Sequence, residues 1–383
     1  MPVCRRSHGL AVSIRTGILV VIGTRPEAIK LAPLIKHLRS SSAAGAILLC
    51  VSGHHLVRVQ EQLRDLGLSA DIACNAIVHP VELSRLLEQL TYQLRAVIES
   101  IRPRLVVVQG DTATTLAAAL AASHCRVQVA HVEAGLRTGN VAAPFPEETY
   151  RRTIATIARL HFAPTPLAAE NLRAEGIASD SVYVTGNTIV DAFYDQIRRS
   201  GVVRRAPQRR VLVSLHRRES LGPCLESMFG AVPALADEHP TYEFVCHIND
   251  NPAVARAFDA ARSGCSAGNL TSIGSLSHSG FLEVLGTSRF VMTDSGGVQE
   301  EAPLLGRPVL ILRNETDRPE GVAAGGAKLV GTSVDAILDA ARQLICDSAV
   351  YERMARVHSP FGDGNAAVRI ATTIARHVVE AVD

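Results

Sequence analysis

The chain has 383 residues, 47% hydrophobic and 20% charged, a globular composition that is long enough for two domains of ordinary size and excludes a disordered or repetitive chain. Its 39 basic and 37 acidic residues are scattered, for a formal charge of +2, so no footprint for nucleic acid is present. The eight cysteines form no C-x-x-C pair, and no apolar run approaches the roughly 20 residues of a membrane span. A cytoplasmic protein with buried free thiols and no metal site is expected.

In chain order, Cys4 to His8 precede mildly apolar residues that Ser13, Arg15 and Thr16 interrupt before a signal-peptide core can form. Ile18 to Ile22 then reads as a strand, Gly23-Thr24-Arg25-Pro26-Glu27 as a tight loop, and Ile29, Leu31, Leu34 and Ile35 as one face of a helix. The same grammar returns at Ala46 to Val51, at Leu105 to Val108 before Gln109-Gly110-Asp111-Thr112, and at Val127 to Val132 before Glu133-Ala134-Gly135. Helices are expected over Arg152 to Arg159 and Leu167 to Glu175, then a strand at Val182 to Val184 and a helix reaching Ser200. An Arg-rich stretch from Arg204 to Arg210 marks a domain junction, and strands follow at Val211 to Ser214, Glu243 to Cys246, Leu270 to Ile273, Phe290 to Thr293 and Val309 to Leu312. Such strand-helix units predict two α/β, doubly wound parallel-sheet domains of Rossmann-like type, with a cleft between them.

The strongest local signal is the strand Phe290 to Thr293 running into Asp294-Ser295-Gly296-Gly297 and a helix. Glycines let backbone amides approach a phosphate, and a helix start favours an anion. Glu301, further along that helix, can accept hydrogen bonds from ribose hydroxyls. Alone, the segment is equally well read as an ordinary turn capped by Ser295. Arg25 and Lys30 can neutralise phosphate charge or stand solvated on a loop. Neither G-x-G-x-x-G nor G-x-x-x-x-G-K-[ST] occurs, which removes the main warrant for nicotinamide dinucleotides and for a P-loop. Asp111, Glu133 and Glu147 are expected just past strands of the first sheet, the usual place of functional acids, although each could cap a helix, Asp111 most of all. His216 and His247 follow strands of the second half.

Taken together the chain resembles the non-hydrolysing UDP-N-acetylglucosamine 2-epimerase family from about Ile18 to Arg369. The likeness is carried by Gly23-Thr24-Arg25-Pro26-Glu27-Ala28-Ile29-Lys30, Gly110-Asp111-Thr112, His131-Val132-Glu133-Ala134-Gly135-Leu136-Arg137-Thr138-Gly139, Pro146-Glu147-Glu148, His216-Arg217-Arg218-Glu219-Ser220, Asp294 to Pro303, Arg318-Pro319-Glu320 and Gly362-Asp363-Gly364. The resemblance implies a glycosyltransferase-B-like pair of domains, usually dimeric, with an N-terminal extension over 1–17, a first domain over 18–200, a UDP-binding domain over 201–364, and a helix over 365–383 returning to the first domain. It implies a UDP-sugar substrate, no cofactor, and inversion at C2 by elimination of UDP to 2-acetamidoglucal and re-addition.

In that scheme Asp111, Glu133 and Glu147 line the sugar end and His247 assists the leaving group. Arg25, Lys30, Arg151, His216, Arg217, Ser295, Gly296, Gly297, Glu301 and Arg318 bind the nucleotide sugar, Glu301 at the ribose. Three departures stand out. His247-Ile248-Asn249-Asp250-Asn251-Pro252 carries two extra residues before Asn-Pro, which puts the position of His247 in question. Gly53-His54-His55-Leu56 and Arg58 differ from the family's site for an activating second UDP-N-acetylglucosamine, so a lost or altered activator site is expected; Tyr150 replaces a usual asparagine. The competing readings are a hydrolysing epimerase, a glycosyltransferase of similar architecture, and a nucleotide-binding protein without turnover.

Overall fold

The computed structural model describes residues 4–6, 17–41, 45–53, 56–77, 82–200, 206–217, 220–249 and 251–380. His54 and His55, on which the expected change in the activator site falls, Arg218, Glu219, Asp250 and the start of the Arg-rich junction lie outside the described residues. The chain divides into two compact units, Met1–Ala192 with Gly362–Asp383, and Phe193–Phe361.

In the first unit, strand β1 (Cys4–Arg6) pairs antiparallel with β4 (Ile72–Cys74). The seven other strands of that sheet are parallel: β2 (Ile18–Ile22), β3 (Ile47–Val51), β4, β5 (Leu105–Gln109), β6 (Gln128–Val132), β7 (Leu160–Ala163) and β8 (Val182–Val184). The order is β1-β4-β3-β2-β5-β6-β7-β8. Strands such as β2 and β5 are buried at every residue, because helices cover both faces and each side chain leaves water whichever way it points. One face is covered by α1 (Arg25–Ser40), α2 (Leu56–Asp65) and α15 (Ala366–Glu380), whose Leu31, Leu34, Val59, Ile370 and Ile374 pack on Ile18, Val20 and Val107. The other is covered by α3 (Leu83–Ile101), α4 (Ala113–His124) and α5 (Glu147–Ile157) over Leu19, Val106 and Val108; α6 (Pro166–Ala174) and α7 (Thr188–Ser200) follow β7 and β8 in the chain. Each fully buried aliphatic contributes roughly 1.5–3 kcal/mol, so a charge at Val107 would break this layer.

The second unit holds six parallel strands, β9 (Arg210–Ser214), β10 (Glu243–His247), β11 (Leu270–Ile273), β12 (Phe290–Thr293), β13 (Val309–Ile311) and β14 (Ala327–Leu329), in the order β11-β10-β9-β12-β13-β14. Helices α8 (Pro223–Glu238), α9 (Pro252–Arg262) and α13 (Val334–Cys346) pack on one face. On the other lie α10 (His278–Thr287) and the short α11 (Gly296–Glu301); α12 (Pro319–Ala323) follows β13 and α14 (Ser348–Ala355) follows α13 in the chain. In both sheets the strand order reverses beside the first strand, between β2 and β5 and between β9 and β12. The turns leaving those four strands therefore border a switch point, where open α/β sheets bind ligands.

Cys50, Cys74, Cys125, Cys224, Cys246, Cys265 and Cys346 are free; Cys50, Cys74 and Cys246 are buried, as expected of inert thiols, but Cys346 is exposed at the end of α13. No described helix is long and apolar enough to cross a membrane.

Candidate active site

At the switch point of the first sheet, the turn after β2 is built by a capping box. Thr24 caps α1, accepting from the Glu27 amide, while the Glu27 carboxylate accepts from the amides of Gly23 at 2.5 Å and Thr24 at 3.0 Å. Thr112 Oγ1 donates to the same carboxylate at 2.6 Å from the turn after β5, so one buried acid ties the two turns together. Burial pushes the Glu27 carboxyl above its ordinary range, against the opposing pull of Thr112 and the two amides.

The next turn of α1 carries Lys30, whose Nζ lies 2.8 and 2.6 Å from the two oxygens of Glu133. Gln109, the last residue of β5, donates its side-chain amide to Glu133 Oε2. Glu133 follows β6 and adopts a left-handed φ of 64°, a conformation costly for a side chain with a Cβ and kept where the surroundings over-determine it. Two residues on, Gly135 has φ 89°, and a Cβ there would meet the Ala168 carbonyl oxygen at 2.1 Å. Only glycine fits, and it lets the chain turn away so that Glu133 points back at Lys30.

Asp111, beyond Gly110, pairs with Arg151 of α5. Its side chain stays 26% exposed against 4% for Arg151, leaving the acid open on one side. Arg151 Nη1 also lies 3.5 Å from the fully buried Glu148, which accepts from Arg152 at 3.1 Å and from the Thr138 amide at 3.2 Å. Glu147 is half-buried at the first position of α5, one helical turn before Arg151. Beneath Asp111, the buried His131 ring bonds the Gly110 carbonyl through Nε2 at 2.7 Å. Burial lowers the His131 pKa to about 3, so the ring is neutral and donates from Nε2.

At the switch point of the second sheet, Asp294 is fully buried and accepts from the amides of His216 at 3.1 Å and Arg217 at 3.0 Å, fixing the turn after β9 against the turn after β12. Ser295 occupies the N-cap position of α11 without a side-chain bond to the helix, and its amide bonds Thr293 Oγ1 at 3.0 Å. A Cβ on Gly296 would lie 2.6 Å from Arg318 Nη1; the missing side chain is what lets the guanidinium rest on the turn. Arg318 is held there by Glu300 through Nε and by Asp317 Oδ2 at 2.7 Å. Gly297, next along, is open on its Cβ side. Glu301 meets His278 Nε2 at 2.5 Å. His247, the last residue of β10, lies 3.4 Å from Ser214 Oγ and packs against Phe281 with ring centroids 5.3 Å apart and the rings tilted by 60°. Arg25 reaches Gln62 Oε1 at 3.4 Å.

A model of the UDP-N-acetylglucosamine 2-epimerase family matches residues 38–375. The chain belongs to this family. Over 370 residues it is 42% identical to a probable UDP-N-acetylglucosamine 2-epimerase of Ralstonia nicotianae, covering 93% of this chain and 98% of the relative. To the UDP-N-acetylglucosamine 2-epimerase of Bacillus subtilis it is 38% identical, covering 94% and 95%. Among solved structures it is similar to the UDP-GlcNAc 2-epimerase of Neisseria meningitidis bound to UDP-GlcNAc, with TM-score 0.89, 36% identity and coverage of 94% of this chain and 100% of that one. The Methanocaldococcus jannaschii epimerase in complex with UDP-GlcNAc and UDP gives TM-score 0.83 at 29% identity, covering 94% and 99%.

The epimerase-family fold class, two Rossmann-like parallel-sheet units of glycosyltransferase-B type, is as the sequence predicts. Within the first unit the structure brings Lys30 to Glu133 and Arg151 to Asp111. Within the second it brings Gly296 to Arg318 and the amides of His216 and Arg217 to Asp294. Sequence reasoning passed over Glu27, Gln109, Asp294, Glu300, Asp317 and His278. The Thr24-x-x-Glu27 spacing signals the first; no local signal in one sequence marks the others, whose partners lie across turns.

Proposed function

We propose that this protein interconverts UDP-N-acetylglucosamine and UDP-N-acetylmannosamine by eliminating UDP to leave 2-acetamidoglucal and adding it back. C1 is an acetal carbon, so no carbonyl stabilises a carbanion at C2. Loss of the C2 proton must accompany cleavage of the C1–O bond, with the electron pair leaving on the diphosphate. Returning the proton on the opposite face needs a second group, and Asp111, Glu133 and Glu147 are the acids assigned to these steps. The observation that carries this reading is the buried Lys30–Glu133 pair, with Gln109 on the same carboxylate. It is supported by its neighbour Asp111, paired to Arg151 yet partly open. In this proposal the Lys30 charge serves Glu133, fixing the orientation of that acid.

Ser295, Gly296, Gly297 and Arg318 bind the diphosphate, with Arg25, His216 and Arg217 also on the nucleotide sugar, Glu301 on the ribose and His247 aiding departure of UDP. Arg318 is preorganised by Glu300 and Asp317, so little ordering is left to be done when charge develops on the leaving group. Incubation with UDP-N-acetylglucosamine and anion-exchange separation tests the reading: UDP-N-acetylmannosamine is expected. UDP with free N-acetylmannosamine would instead indicate the hydrolysing reaction, and no conversion would remove the proposal.

A further inference from the structure

His278 opens α10, a position where an exposed polar residue would suffice, yet its side chain is 9% exposed and meets a Glu301 side chain that is 7% exposed. The contact runs from Nε2 to Glu301 Oε1 at 2.5 Å. Both ends are fixed. Ser277 caps α10 by accepting from the Gly280 amide at 3.2 Å, and Leu282 and Leu285 of α10 share a core with Val298 and Ala302 around α11. Among the described residues, His278 is the donor that reaches the Glu301 carboxylate, through Oε1, and Oε2 receives none. Oε2 is also not among the buried polar atoms left without a partner. A carboxylate on three rotatable bonds, pinned at one oxygen and free at the other, presents one acceptor in one direction.

We propose that His278 is a positioning residue for nucleotide specificity: it holds Glu301 so that Oε2 accepts from the ribose diol of the UDP moiety. This rests on the assignment of Glu301 to the ribose. A pair that served only to pack α10 against α11 would be indifferent to the hydroxyls of the ligand.

The test is a titration of UDP, and of 2′,3′-dideoxyuridine diphosphate, into wild type, His278→Phe, His278→Gln, Glu301→Gln and the His278→Phe/Glu301→Gln pair, with thermal melts to confirm folding. Loss of the diol should weaken binding to wild type about tenfold, the scale of one hydrogen bond to a charged group. His278→Phe should weaken UDP by a similar factor and leave the dideoxy ligand unchanged. His278→Gln, whose amide reaches the place of Nε2, should recover most of the loss, and the double variant should be no worse than Glu301→Gln. Equal weakening of both ligands by His278→Phe, or additive losses in the double variant, would overturn the inference while leaving the ribose assignment standing. A wild type indifferent to the diol would refute that assignment and the inference with it.

Discussion

The ammonium of Lys30 lies within 2.8 Å of both carboxylate oxygens of Glu133, with both side chains under a tenth exposed. Removing one partner of a buried pair strands the other charge, at a cost of about 3–5 kcal/mol, whereas removing both relieves it. Lys30→Met should therefore lower the denaturant midpoint by more than Lys30→Met/Glu133→Gln does. Glu133→Gln should lower kcat at least a hundredfold, as expected for a group that moves a proton. Urea melts of the four proteins and initial rates check both; additive destabilisation would show that the pair is not coupled.

Arg151 serves Asp111 and Glu148 at once. A lysine keeps the charge but is a point donor without the planar fork, so Arg151→Lys should satisfy one acid and release the other. The expected result is a fall in kcat of about tenfold to a hundredfold with a smaller loss of stability than Lys30→Met causes, because Glu148 keeps Arg152 and the Thr138 amide and Asp111 stays partly open, read from steady-state rates alongside thermal melts.

Gly296→Ala places a methyl where the Arg318 guanidinium now sits, 2.6 Å from Nη1. Arg318 is pinned by Glu300 and Asp317 and has little room to yield. UDP affinity by calorimetry should drop about tenfold or more, because a charge-assisted contact to the diphosphate is misaligned. Gly297→Ala, whose Cβ meets open space, should cost less from sterics alone.

Acid stability should carry the mark of His131. Its folded pKa of about 3 lies below the ordinary 6.5 because of burial. Above 6.5 both folded and unfolded chains hold a neutral ring. Below it the unfolded chain binds a proton that the fold refuses, so stability falls as pH drops from 6.5 toward 3, by at most about 1.4 kcal/mol per unit. His161, across the β6–β7 register and also lowered by burial, adds in the same direction. Glu27, raised by burial, acts oppositely, since acid relieves its burial cost. His131→Gln, which can still donate to Gly110, should therefore show a shallower loss than wild type in urea melts between pH 6.5 and 5.

How legible this was from sequence follows from locality. Strands such as Ile18–Ile22, Val182–Val184, Leu270–Ile273 and Phe290–Thr293 stand where their apolar runs place them. Leu160–Ala163 passed unseen because the run is short and contains His161, which the fold tolerates by bonding Nε2 to the Ala155 carbonyl at 2.9 Å. Ala327–Leu329 was missed at a sheet edge, where Lys328 and Leu329 are exposed and only one side of the strand pairs. Asp111 and the Asp294–Gly297 turn were readable because they follow β5 and β12 at the switch points, and Glu133 because it directly follows β6, whereas Glu147 opens α5 and follows no strand directly. Pairings such as Lys30 with Glu133 or His278 with Glu301, 103 and 23 residues apart, belong to tertiary structure.

Conversion of UDP-N-acetylglucosamine in deuterated water, followed by proton NMR at C1 and C2, bears most directly on elimination and re-addition. Deuterium should accumulate at C2 of the manno product and, by reversal, of the remaining gluco substrate. An interconversion that leaves the C2 proton in place would contradict the proposed chemistry.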